Sequence, residues 1–263
     1  MLFVHGVGFR DSKQHRYWGR IPKKLESLGA QLYYGGQDAW SPIERSAEQL
    51  KANLLRVIEQ TGCRKVNIIA HSRGGLDSRY MISVLGCERY VASLTTISTP
   101  HNGSKTMDIL MNLPRAVLRP IGIVADLWFR ALGDSEPDLY TSCRQFMTSY
   151  ADEFNARVPD IDGIYYQSFA TAMKSAGSDV LEALPHLVVE RIDGESDGLV
   201  SVASAAHGNF RGVLRSATKR GISHVDAVDL RRRSFTRKSS AEGVADIVDV
   251  YVDIVRDLKA RGL

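Results

Sequence analysis

Residues 67–80 read NIIAHSRGGLDSRY, an apolar run that ends in one serine between His71 and Arg73 and then passes into two glycines. Within it, Ala70-His71-Ser72-Arg73-Gly74 matches the G-x-S-x-G pattern, with alanine in the first glycine position. A turn of this kind between strand and helix holds its serine in strained backbone geometry, so the residues two places either side must be small. Alanine meets that requirement. The helix that follows points its dipole and unpaired N–H groups at the turn, which favours a developing negative charge. The chemistry this suits is nucleophilic attack by the Ser72 hydroxyl; the competing structural reading is a serine N-cap.

A serine hydroxyl is a weak nucleophile at neutral pH, so it needs a histidine base oriented by a carboxylate. In this arrangement the chain order is Ser, then Asp or Glu, then His. Of the seven histidines, His101, His186, His207 and His224 follow Ser72 at a distance, and His71 is its immediate neighbour. His224, in the polar loop GISHVDAVD before a terminal helix, is the expected base, and His207 is expected to be a structural or surface residue. The expected acid is Asp197 in the turn GESDGLVS, with Asp193 and Glu195 as rivals. Backbone donors for an oxyanion are expected from the amide of Val7, in the HGVG that follows LFV, and from the amide of Arg73.

These groups need a scaffold to bring them together. Short apolar runs at 2–4, 30–34, 65–70, 91–98 and 164–170 alternate with amphipathic stretches. One of these, SAEQLKANLLRVIEQTG, has Ser46 as its expected N-cap and Gly62 as its stop. Strand and helix in alternation predict an α/β fold with a mostly parallel central sheet flanked by helices, in a single domain over 1–263. The segment 107–132, rich in Leu, Met, Ile and Trp and broken by Pro114 and Pro120, interrupts the alternation and is the candidate lid. The alternative for it is a core helix pair with no gating role.

Composition excludes several function classes. The chain has 263 residues, 44% hydrophobic and 24% charged, with a formal charge of only +4, which describes an ordinary globular protein. Its one basic run, Arg231, Arg232, Arg233, Arg237 and Lys238, reads as a solvated surface rather than a nucleic-acid site. Cys63, Cys87 and Cys143 are an odd number without metal-like spacing and support no disulfide framework, although one bridge is open. No apolar run is long enough to span a membrane, and MLFVHGVGF lacks the basic start of a signal peptide. A cytoplasmic location is therefore expected, or a secreted one if the chain is a processed form.

Taken in order, FVHGVGF, YWGRIPKKLESLGAQLYYGG, EQTGCRKVNIIAHSRGGLDSRY, VASLTTISTPHNGS, DEFNARVPDIDGIYYQSFA, ESDGLVS and SHVDAVD resemble the bacterial true lipases of the Pseudomonas and Burkholderia type. The resemblance runs from residue 3 to about residue 229. It implies an α/β-hydrolase fold and a carboxylester hydrolase, most simply a triacylglycerol lipase, acting on lipid or ester substrates at an oil–water interface. By position it implies Ser72 as nucleophile, Asp197 as acid, His224 as base, and the amides of Val7 and Arg73 as the oxyanion hole. It further implies a structural Ca²⁺ held by Asp179, Asp226 and the carbonyls of Leu230 and Ser234. An esterase, a thioesterase or an acyltransferase would use the same triad, and a non-catalytic binding module would keep only the fold. The sequence departs from the family in lacking a secretion signal and an obvious disulfide pair, and in having Arg73 where glutamine or methionine is common. That last departure could alter the acyl pocket.

Overall fold

Strands that are apolar at nearly every position need cover on both faces, and a parallel sheet provides it because each crossover returns over one face or the other. A computed structural model describes residues 1–8, 17–236 and 242–263. Among these, β1 (Leu2–Val4), β2 (Tyr33–Tyr34), β3 (Val66–His71), β4 (Val91–Ile97), β5 (Tyr165–Thr171) and β6 (Asn209–Leu214) form one sheet. Its order is β2-β1-β3-β4-β5-β6, and every neighbouring pair is parallel. The helices are α1 (Ile21–Ser27), α2 (Ile43–Thr61), α3 (Gly74–Ser83), α4 (Lys105–Met111), α5 (Arg115–Ala131), α6 (Leu139–Arg144), α7 (Thr148–Arg157), α8 (Ala183–Asp193), α9 (Val202–Ala205) and α10 (Ile247–Ala260).

Side chains alternate across the strands and so feed two cores. Phe3, Ile69 and Ile97 pack with Trp18, Ile21 and Leu25 of the α1 region and with Tyr251 and Ile254 of α10. Leu2, Val4, Ile68 and Ala70 point the other way, onto Leu50 and Leu54 of α2 and Met81 and Ile82 of α3. Helix α2 buries Ile43, Ala47, Leu50, Leu54 and Val57, the three-and-four spacing of one helical face.

Some expectations change in detail. Helix α2 stops at Gly62 as expected, but it begins at Ile43 after Pro42, so Ser46 is not its N-cap. Proline there needs no amide partner and fixes φ, which lets the helix start earlier. The run at 30–34 pairs only at Tyr33 and Tyr34. Strand β6 has no counterpart in the sequence reading: NFRGVL is an edge strand with no fully buried residue, so it carries no continuous apolar signal. The segment 107–132 is two helices, with Pro114 just ahead of α5 and Pro120 within it. Its large apolar residues are not core: Val124, Leu127 and Trp128 are 69%, 64% and 65% exposed. Cys63, Cys87 and Cys143 are all free thiols.

The junction of β1, β3 and α3 is the tightest point of the fold. A Cβ on Gly74 would lie 2.5 Å from the carbonyl oxygen of His5 and 2.6 Å from that of Val4, both backbone atoms that cannot step aside. Gly74→Ala is therefore expected to push β1 and α3 apart and to destabilise the protein by about 1–3 kcal/mol, read as a lowered melting temperature.

Candidate active site

Strand β3 ends at His71, and the next residue, Ser72, has φ of 54°, a left-handed conformation rare for a residue with a side chain. Its backbone is fixed from several sides. The Ser72 N–H donates to the Ile97 carbonyl at 3.0 Å, and the Ser72 carbonyl accepts from the Gly75 N–H at 3.1 Å and from Thr99 Oγ1 at 2.7 Å. Strain of this kind, on the order of 1–3 kcal/mol, persists only when the surroundings over-determine it. Gly6 makes room as well, since a Cβ there would sit 2.6 Å from the Ser72 Cβ.

The loops at 194–201 and 222–230 supply the other two groups. Nδ1 of His224 lies 2.8 Å from Oδ2 of Asp197, and both side chains are buried. Oδ1 of Asp197 accepts from the amides of Leu199 at 3.1 Å and Val200 at 2.9 Å, and Oδ2 also accepts from Thr171 Oγ1 at 3.1 Å. Burial pushes the Asp197 carboxyl up, but His224 and these donors outweigh it and hold the group below its ordinary range. Burial likewise disfavours a charged His224, yet Asp197 and Glu182 raise its pKa above the usual value. An ionised Asp197 accepts from Nδ1–H, which leaves Nε2 to take a proton.

The rival acids have other work. Asp193 caps α4, accepting from the amides of Lys105 at 2.8 Å and Thr106 at 3.0 Å. Glu195 pairs with Arg215 at 2.8 Å on the surface. His207 bonds Asp160 at 3.0 Å and stacks on His101. His186 is buried, with Nδ1 3.5 Å from Ser196 Oγ.

Several residues that the sequence reading passed over tie the site together. The His71 ring, next to Ser72 in the chain, lies 4.4 Å from the His224 ring. Burial, and then the nearby His224, hold His71 well below its ordinary pKa, which keeps it a neutral neighbour. Its Nδ1 is 2.7 Å from the Tyr17 hydroxyl, which accepts from the Gly6 amide at 3.0 Å. The 5–8 loop is thus bonded to the elbow beside Ser72. Glu182 accepts from the His224 amide at 3.0 Å, and burial pushes its carboxyl up to about 7. Tyr17 and Glu182 have no motif around them, and only spatial proximity reveals them.

The Arg73 side chain is buried and does its bonding elsewhere. It donates to the carbonyls of Ser41 and Asp38, the latter at 2.9 Å, and to Ser46 Oγ at 2.8 Å. The hydroxyl expected to cap α2 therefore receives a guanidinium instead. Nη2 also lies 3.6 Å from Oδ2 of Asp77.

Asp179, Asp226, Leu230 and Ser234 do not fit a calcium ion. Arg231 binds Asp179, and Arg233 Nη2 lies 3.0 Å from both oxygens of Asp226. Arg231 and Arg233 are consequently not the solvated surface expected of the basic run; the buried carboxylates draw them in. Arg237 and Lys238 lie outside the described residues.

A parallel sheet in this order, with a strained serine between its third strand and the following helix and a histidine–aspartate pair from later loops, defines an α/β-hydrolase. The Staphylococcus hyicus lipase has the same fold, with a TM-score of 0.69 at 18% identity over 100% of this chain and 96% of that one. No protein-family model matches the chain. A triacylglycerol lipase of Vibrio cholerae is 30% identical over 256 residues, 87% of this chain and 79% of that protein. One of Pseudomonas fragi is 25% identical over 299 residues, covering 100% of this chain and 97% of the relative. The chain belongs to this bacterial triacylglycerol lipase family, and it is a carboxylester hydrolase.

Beneath the elbow, burial raises the Asp77 carboxyl to about 7 against the pull of Arg73. A raised folded-state pKa gives stability that is full below about pH 4 and is lost as the pH rises through about 7, because the folded chain holds a proton the unfolded chain has released. Asp77→Asn is expected to flatten that decline, measured as a smaller difference in melting temperature between about pH 5 and about pH 8.

Proposed function

We propose that the protein hydrolyses triacylglycerols presented at an oil–water surface, through an acyl-enzyme on Ser72. The observation that carries the reading is the buried His224–Asp197 pair, whose imidazole packs on His71, the residue before the strained Ser72. Nε2 of His224 takes the Ser72 proton as Oγ attacks the ester carbonyl, and then passes it to the leaving glyceride alkoxide. Water, activated by the same nitrogen, adds to the acyl carbon and releases the fatty acid and Ser72. Asp197 holds the imidazole tautomer and balances its transient charge. The amides of Val7 and Arg73 receive the oxyanion of each tetrahedral intermediate.

The preference for an oil surface rests on α5. Its exposed apolar residues include Val117, Ile121, Val124, Leu127 and Trp128, a face that water solvates poorly and an oil phase would accept. We read 107–132 as the lid, opening where lipid covers this face. No helix among the described residues is long and apolar enough to cross a membrane.

Ser72→Ala and His224→Ala are each expected to lower kcat on a soluble p-nitrophenyl ester by a factor on the order of 10⁴ to 10⁶, whereas His207→Ala stays near wild type. The reverse pattern would remove His224 from the mechanism. For the lid, Leu127→Ser or Trp128→Ala is expected to lower the ratio of emulsion to soluble-ester activity by roughly tenfold, since transferring one large apolar side chain is worth about 1.5–3 kcal/mol. An unchanged ratio would make the protein an esterase with a fixed α5.

A further inference from the structure

The loop that carries His224 is bracketed by two buried carboxylates. Ser223, immediately before the histidine, donates to Oδ2 of Asp179 at 3.0 Å and accepts from the Asp226 amide at 3.3 Å. Asp179 and Asp226 side chains are 0% and 3% exposed, so each needs a counter-charge. Both counter-charges come from one short turn. Asp229 and Arg232 have φ of 56° and 52°, and this turn sends Arg231 and Arg233 back toward the loop while Arg232 between them is exposed. Arg231 reaches Oδ1 of Asp179, and Arg233 spans both oxygens of Asp226.

We infer that Arg231 and Arg233 are positioning residues that hold the His224 loop in place of a divalent cation. Two guanidinium groups supply the same total charge as one Ca²⁺, but split between two carboxylates and fixed to the chain. A calcium ion needs six to eight oxygens around it. Here the Asp179 oxygens also accept from Ser223 and from the Leu181 amide at 3.1 Å, and both Asp226 oxygens face Arg233. A cation entering this space would meet two like charges at close range, so a guanidinium would have to leave first. Each carboxylate is met through one guanidinium nitrogen, Nη2, so a lysine of equal charge would keep part of the contact and lose the arginine's reach. The link therefore withstands chelation and does not depend on metal supply. The inference rests on His224 being the base of the proposed reaction.

The test is thermal denaturation of the wild type in EDTA and in added CaCl₂, alongside the double variant Arg231→Gln/Arg233→Gln. The wild-type midpoint is expected to be the same in both. In the double variant the bared carboxylates should lower the midpoint by roughly 10 °C. Its kcat on a soluble ester should fall roughly 10- to 100-fold with KM unchanged, as for a displaced catalytic group. Added Ca²⁺ should then raise the variant's midpoint, a response the wild type lacks, and Arg233→Lys should lie between wild type and the corresponding Arg233→Gln. A wild-type midpoint that falls in EDTA or rises with Ca²⁺ would overturn the inference, as would a double variant equal to wild type in midpoint and kcat. Should the double variant not fold, the wild-type metal response and the Lys and Gln single variants decide it. Failure of the hydrolase reading would show separately, as wild type without ester turnover, and would leave the denaturation results standing.

Discussion

The structure depends on how closely three backbones approach at the end of β3. Ser72 can take its left-handed conformation only because Gly6 and Gly74 place no Cβ against it or against the carbonyls of β1. Hydrogen bonds with Ile97, at the C-terminal end of β4, and Thr99, just beyond it, hold the serine from the other side. The same approach brings the 5–8 loop beside the nucleophile, through Gly6, Tyr17 and His71. Ser72 and the 5–8 loop are consequently one mechanical unit, and the strain at Ser72 is the physical form of that coupling.

A second constraint is electrostatic. Four carboxylates, those of Asp179, Glu182, Asp197 and Asp226, lie in or beside the loops around His224, and almost no water reaches them. Uncompensated, they would repel one another and swell the loops. The remedies are of three kinds: Asp197 has the imidazole and two amides, Glu182 shifts toward its neutral form, and Asp179 and Asp226 have arginines. The orientation of one imidazole thus reflects a local charge balance that spans fifty residues of sequence.

Residues whose role is local could be read from the sequence. The elbow announces itself because strand, serine, glycine and helix are contiguous; chain order leaves Asp193 and Glu195 beside Asp197, and it is Asp197 that lies 2.8 Å from His224. The two cores are visible as alternation in β1 and β3 and as helical spacing in α2. Strand β6 was invisible because an edge strand has no need of an apolar run. Ser46 was misread because an N-cap is a local inference, whereas its actual partner, Arg73, is twenty-seven residues away. The arginine turn was misread for the same reason: a run of basic residues looks solvated until the buried carboxylates opposite it are known. Val180 and Leu181, in the turn before α8, and Leu184 in its first turn are exposed, which apolar residue type alone does not foretell.

Arg20, just before α1, binds both Asp229 and Asp246, reaching Asp229 across 209 residues of sequence. The residue after the 226–228 helical turn is therefore anchored to the opposite end of the chain, and α10 packs over both. Contacts of such separation form late, because the intervening chain must first be condensed. Ser72 precedes His224 by 152 residues in the chain, and the turn after His224 is held by Tyr251 of α10, which donates to the Ala227 carbonyl at 2.9 Å. A molecule without α10 in place would keep Ser72 in its turn but leave the loop carrying His224 without the helix it packs against.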